Sequence, residues 1–424
     1  MSGNFTEARQ RVLETLNHKQ PTRVPMDFGS TMVTGIHVSV VAALRECYGL
    51  ESRLVKVCDP YQMLGLVEED LAQAMGLDVI GVFGPNTFFG FPLDNWKPWR
   101  MPDGLEVSVP GGFNTSIDSN GDVLIYPQGD TSVPASARMP KGGYFFDSII
   151  RQEPIDEDHL NWEDNTEEFQ PISDRDLRAI RAGVTEALKT GRAIVASLPN
   201  MYLGDIAFIP APSLKHPKGI RDIAEWYMSL RARRDYVEKI FARETELALA
   251  NLEKIYAAIG NNVDVVFTCG TDFGTQSSSF CSVQTFRNLW LPYYKQMNDW
   301  IHSHTTWRVM KHSCGAVEKF IDSFADAGFE ILNPVQCSAA GMDPELLKAR
   351  HGDRIVFWGG GVDTQKTLPF GTPAEVREQV LRRCEIFSRN GGFVFTTIHN
   401  VQARTPVKNF VALLDAVREF NGAN

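Results

Sequence analysis

The chain has no uninterrupted apolar stretch of about 18 residues, so no segment reads as a membrane-spanning helix. Basic runs are missing as well. Lys and Arg number 42 against 52 Asp and Glu, a net charge of −10, and no cationic cluster offers the patch that nucleic acid or an anionic membrane needs. Cysteine is scarce: seven in 424 residues, odd in number and without a framework spacing, as expected of thiols in a reducing compartment. The opening MSGNFTEARQRVLETLNHKQ is polar with a helical period and lacks the apolar centre of a secretory signal, so a cytoplasmic protein is expected. There is no internal repeat or low-complexity tract. GxxxxGK[ST], a GxGxxG opening a helix, HExxH and GxSxG are also absent, which removes the commonest nucleotide, zinc-protease and hydrolase signatures.

What is present is the composition of a globular chain, 43% hydrophobic and 22% charged, with enough apolar residues for a large core. Short β-branched runs alternate with longer stretches of helical period. The runs are RVPMDFG (23–29), LDVIGVF (77–83), AIVASL (193–198), VDVVFT (263–268), TWRVMK (306–311), EILNPV (330–335), RIVFWG (354–359) and GFVFTT (392–397). Eight such βα units predict an α/β chain closed as a (β/α)8 TIM barrel. DIAEWYMSLRARRDYVEKIFARETELALANLEKIYAAI reads as one long helix, and the helices opening at Pro373 and Pro406 begin with the residue that suits a first turn. From about 95 to 150 the rhythm breaks: LEVSVPGG and GDVLIYP flank a turn at Asn120-Gly121, which predicts a β-hairpin insertion over one barrel end. No linker divides the chain, so 1–424 is expected to be a single domain.

In a parallel barrel the C-terminal strand ends converge on one mouth, so polar residues there carry weight. They are Asp27, Asp272 and Gln276 in TDFGTQ, His312 and Cys314 in MKHSCG, Gln336, Asp363 in GGGVDTQ, and His399 in FTTIHNVQ. Asp27, Gln276, Gln336 and Asp363 are candidate substrate contacts, and Asp272 and His399 are candidate acid–base groups. His312 and Cys314 can supply two ligands to a zinc ion with His399 as the third, leaving a fourth position open to substrate. Cys269 and Cys337, also near strand ends, are alternative thiolates. The structural alternative is a His312 that bonds a carbonyl, a Cys314 that fills space and glycines that relieve crowding at the rim.

The ordered segments RVLETLNHKQPTRVPMDFG, DFGTQ, KHSCGAV, EILNPVQCSAAGMDPELLK, FWGGGVDTQKTLPFGTPAEV and GGFVFTTIHNVQARTPVKN resemble the uroporphyrinogen decarboxylase superfamily, in particular its corrinoid-dependent methyltransferase-like branch. The resemblance implies the same barrel. The arginine-bearing N-terminal segment of true uroporphyrinogen decarboxylases is replaced here by PTRVPMDFGSTMVTG, which has no arginine pair for a polycarboxylate. In the methyltransferase branch His-x-Cys binds zinc, which maps to His312 and Cys314. The third ligand there is usually a cysteine seven residues before a proline, and that position, counted from Pro406, is His399. The resemblance therefore implies a methyltransferase that moves a methyl group between a small-molecule donor or acceptor and a corrinoid. The chain lacks the Asp-x-His-x-x-Gly segment of corrinoid-binding domains, so the corrinoid would ride on a separate partner protein. A metal-free lyase or decarboxylase using Asp272, and a non-catalytic protein binding a small molecule or a corrinoid partner, are the rival readings.

Overall fold

A computed structural model describes residues 6–198 and 202–422. Seven of the eight apolar runs form one parallel sheet in strict sequence order: β1 (Val79–Val82), β2 (Ala193–Ser197), β3 (Val265–Cys269), β4 (Arg308–His312), β5 (Ile331–Asn333), β6 (Val356–Trp358) and β7 (Phe393–Val394). The eighth run closes the ring as a single bridge. Met26 pairs in parallel with Phe395, while on its other side Asp78 N–H donates to the Met26 carbonyl at 3.0 Å. Pro25 cannot donate to a ladder, which explains why this stave is so short.

Alternation along the strands decides what faces inward. Val79, Ala193, Val195, Val265, Met310, Ile331, Val356, Trp358 and Val394 form one buried cluster inside the barrel, joined by Val12 and Leu16 of the helix Glu7–Leu16. That helix closes the N-terminal end of the barrel, where Arg9 pairs with Asp264 ahead of β3 and Arg11 with Asp78 ahead of β1. The second, larger apolar cluster lies between the strands and the surrounding helices. Helix Pro373–Phe387 starts with proline inside a Thr372/Glu375 capping box, so local sequence and position agree.

Two expectations change in detail. The stretch read as one long helix is two, Ile223–Ala232 and Arg234–Ile259, because Arg233 leaves helical backbone (φ −128°, ψ 49°), with its guanidinium bound to Glu157 and Glu225. The 95–150 region contains the expected hairpin, Thr115–Ile117 against Val123–Ile125, with Gly121 at φ +86° in its turn. It also has a second pair, Lys97–Arg100 with Glu106–Val109, and two further strands, Ala137–Met139 and Asp147–Ser148. Its buried side chains, Phe113, Ile125, Met139 and Phe146 among them, are continuous with the outer apolar cluster. It leans on the loop after β2 through Arg151, which donates to the carbonyls of Ala211 and Leu214.

Candidate functional site

Met310 points into the barrel, so two residues later His312, at the end of β4, does too. Its Nδ1 lies 2.7 Å from Asn333 Oδ1 at the end of β5. The amide of Asn333 is itself oriented, because its Nδ2 donates to the Trp358 carbonyl at 2.9 Å, leaving Oδ1 as the acceptor for an Nδ1–H. Nε2 of His312 is then the bare nitrogen. It lies 3.3 Å from Cys314 Sγ and 3.9 Å from Asp272 Oδ1.

The turn after His312 is held by three bonds from two neighbouring strand ends, those of β3 and β5. Ser313 N–H donates to the Asn333 carbonyl, Cys314 N–H to Asp272 Oδ1 at 2.6 Å, and Gly315 N–H to Gln336 Oε1 at 2.7 Å. Gly315 has φ +86°, and a Cβ there would lie 2.4 Å from Gly274 backbone; at Gly274 a Cβ would meet Ala316 N at 2.6 Å. The DFGTQ and HSCG backbones therefore cross at a spacing only glycine permits. Beneath them Lys311, fully buried, donates to the carbonyls of Thr271 and His312 at 2.7 and 2.6 Å and lies 5.3 Å from the Phe273 ring centroid.

The last βα loop brings His399 to the same place. Its ring centroid is 5.3 Å from that of His312, and ligand atoms of His312, Cys314 and His399 all lie within 4.8 Å of one another. These are the three residues expected from the strand ends, and no other group of this kind is found among the described residues. Cys269 is not part of it: its sulfur lies under the helices, 2.9 Å from Tyr294 Oη. Cys337 lines a separate cavity.

Burial sets the charge states. Desolvation pulls His312 and His399 down to about 4, with Lys311 adding to the effect on His312 and His312 itself to that on His399, so both imidazoles are neutral above pH 5. Burial and the nearby Asp272 carboxylate push the Cys314 thiol well up. Asp272 is raised by burial, against the N–H of Cys314 and the charge of Lys311. Asp205, on the loop after β2, is raised to about 7 by burial and by Asp272.

The other expected residues stand apart from this cluster. Asp27 is fully buried; Ser30 Oγ and Trp358 Nε1 donate to its Oδ2 at 2.7 and 2.8 Å, so it braces the floor of the mouth. Gln336 uses Oε1 on Gly315, Asp363 caps Gln365 and Lys366 N–H, and the side chain of Gln276 is exposed on its loop. Four residues were not anticipated. Asn333 and Lys311 lie within strands, where only the register of the folded sheet sets what their side chains meet. Asp205 lies beyond its strand, where Gly270 leaves it room; a Cβ at Gly270 would sit 2.7 Å from Asp205 Oδ2. Tyr227 stacks on Phe280 at 5.0 Å, and its buried hydroxyl has no partner among the described residues. It is raised by burial and by Asp272 and Asp205.

Zinc bonds of roughly 2.0–2.3 Å put tetrahedral ligands about 3.3–3.8 Å apart. The His312–Cys314 spacing of 3.3 Å already fits that, and the oriented Nδ1–H leaves the right nitrogen free. His399 fits at the expense of one bond: Asn400 N–H donates to its Nδ1 at 2.8 Å, which leaves the ring proton on Nε2.

The uroporphyrinogen decarboxylase (URO-D) family model matches residues 211–420. The uroporphyrinogen decarboxylase of Psychromonas ingrahamii is 28% identical over 107 residues, 24% of this chain and 27% of that protein, so the match spans about a quarter of the relative's length. A methyltransferase from Methanosarcina mazei has the same fold, at a TM-score of 0.54 and 15% identity, over 98% of this chain and 99% of that one. No helix among the described residues is long and apolar enough to cross a membrane. The matched segment contains β3 to β7 with His312, Cys314 and His399, and through it the chain belongs to the uroporphyrinogen decarboxylase superfamily.

Proposed function

We propose that the protein is a methyltransferase that moves a methyl group between a small-molecule substrate or thiol and a corrinoid carried on a separate protein, with zinc held by His312, Cys314 and His399. The observation that carries this reading is the convergence of those three donors within 4.8 Å at the C-terminal strand ends, with the metal-facing nitrogen of His312 selected by Asn333. When bound, zinc supplies the positive charge that favours the deprotonated form of a coordinated thiol or hydroxyl.

The protein's own groups do the rest. Cys314 would hold the metal as its thiolate, and the Asp272 carboxylate, raised by burial and accepting from Cys314 N–H through Oδ1, stands beside it as the proton acceptor. Asp272 then holds a proton next to the place where a substrate heteroatom gains or loses its methyl group. Asp205 acts with it: burial and the nearby Asp272 carboxylate raise it to about 7, which favours a state in which one of the two stays protonated. Tyr227, a protonated phenol without a partner among the described residues, offers a hydrogen bond to a substrate oxygen or nitrogen.

Anaerobic incubation with methylcobalamin and small thiols, followed by the visible spectrum of the corrinoid, tests the reading. Zinc-dependent demethylation that disappears in Cys314→Ala supports it. No demethylation with any thiol, by protein shown to contain zinc, would contradict it for that direction, and the reverse reaction with methyl ethers or methylamines completes the test.

The Asn400-to-His399 bond gives a metal-free lyase its own support, because it leaves an N–H on the His399 Nε2. In that reading His399 donates the proton and Asp272 receives it, and activity survives chelation.

A further inference from the structure

One cavity lies away from the barrel mouth. It has a volume of about 460 Å³ and lies outside the barrel, between the loop after β5 and helix Pro373–Phe387. Arg382, Arg383 and Gln379 line it from the helix, with Cys337, Met342 and Ile386 beside them. We propose that this cavity binds a small molecule that carries an anionic head, phosphoryl or carboxylate, on an apolar body.

Charge supports this first. Most surface arginines in this half of the barrel are spent on carboxylates: Arg350 on Glu318, Arg354 on Asp322 and Asp326, Arg377 on Glu419, Arg389 on Glu345. Arg382 and Arg383 form no ion pair or hydrogen bond among the described residues. The two acids at the rim are bonded elsewhere, Asp343 to Leu346 N–H of its own helix and Glu345 to Arg389, and neither forms an ion pair with Arg382 or Arg383 among the described residues. Two unspent guanidiniums beside a cavity are a planar, multidentate anion receptor.

The rest of the lining agrees. Gln379 Oε1 accepts from Asp363 N–H at 2.9 Å, so the group it has left for a ligand is its N–H2, another donor. Cys337 is a thiol, raised to about 11 by burial even with Arg383 close by. Met342 and Ile386, both buried, give the apolar contact. The volume exceeds what an inorganic anion alone fills and falls in the range of small-molecule sites.

The same loop joins this cavity to the mouth: Gln336, which holds Gly315 N–H, is the neighbour of Cys337. The proposal does not depend on methyl transfer, and neither result below bears on that reading.

Isothermal titration of the full chain with phenyl phosphate, at fixed ionic strength and beside inorganic phosphate and phenol, tests it. One site is expected, tighter for phenyl phosphate than for either fragment and weakened about tenfold or more in Arg382→Ala/Arg383→Ala. The double variant should keep the wild-type melting temperature, because neither side chain has a partner to lose among the described residues. No saturable binding up to millimolar phenyl phosphate, or equal affinity in the double variant, would overturn the proposal.

Discussion

Asn333 decides which nitrogen of His312 faces the mouth. It is fully buried and connects Nδ1 of His312 to the Trp358 carbonyl, so its replacement by leucine leaves two buried polar groups unpaired. Asn333→Leu should lower the unfolding free energy by about 1–3 kcal/mol in urea titrations. It should also weaken zinc binding about 10–100-fold in competition with a chromogenic chelator, although it touches no metal. Unchanged zinc affinity would show that the orientation of His312 is set elsewhere. His312 also sets a pH dependence. The unfolded chain protonates this residue near 6.5 and the folded protein only near 4, so as the pH falls through that window the unfolded state gains the proton and stability is lost. Asp205 works in the opposite sense: held up to about 7, it keeps its proton in the fold while the unfolded chain has lost it, so its contribution declines as pH rises from about 4 to 7. Wild type alone therefore shows a mixed profile. In metal-free protein, wild type should lose up to about 3 kcal/mol more than His312→Gln between pH 7 and pH 4.

The site depends on two backbone turns crossing at Gly274 and Gly315, and here the consequence of one added methyl group is large. Gly315→Ala combines a positive φ with a Cβ 2.4 Å from Gly274 backbone, and no flexible side chain is there to yield. It should destabilise by about 1–3 kcal/mol and shift Cys314 away from His312, reducing zinc content; a circular-dichroism melt with elemental analysis would measure both. The crossing was partly legible beforehand. KHSCG and DFGTQ each carry a glycine beside a candidate side chain, and the strand-end rule put both at one mouth. What the pattern could not give was contact between them, since that depends on how two loops separated by about forty residues close on each other. The same limit applies to the helix break. Residues 223–259 keep a helical period throughout, and only the pull of Glu157, far away in the chain, marks Arg233 as the point where it bends. In the insertion, the Asn120-Gly121 turn was readable because its residues fix its conformation, whereas strands as short as Asp147–Ser148 exist only through their neighbours.

For the whole molecule, the eight apolar runs gave the barrel because each is a buried strand of parallel type, apolar on both faces, followed by a helical period. The stave at Met26 is the exception in form, reduced to a bridge by Pro25, yet it closes the ring and places Asp27 under Trp358. The closed ring explains why His312, Cys314 and His399, up to 87 residues apart by their numbers, meet at one end while Val12 and Leu16 seal the other. It also explains what was missed: Asp205 sits on a long loop that the ring bends back over the mouth. The central claim, a three-ligand metal centre in this superfamily fold, is tested most directly by elemental analysis of tag-free protein. The account predicts about one zinc per chain in the wild type, lost in both His312→Ala and His399→Ala. Wild-type protein that takes up no zinc even after incubation with it would contradict the claim and leave His399 and Asp272 as a metal-free acid–base pair.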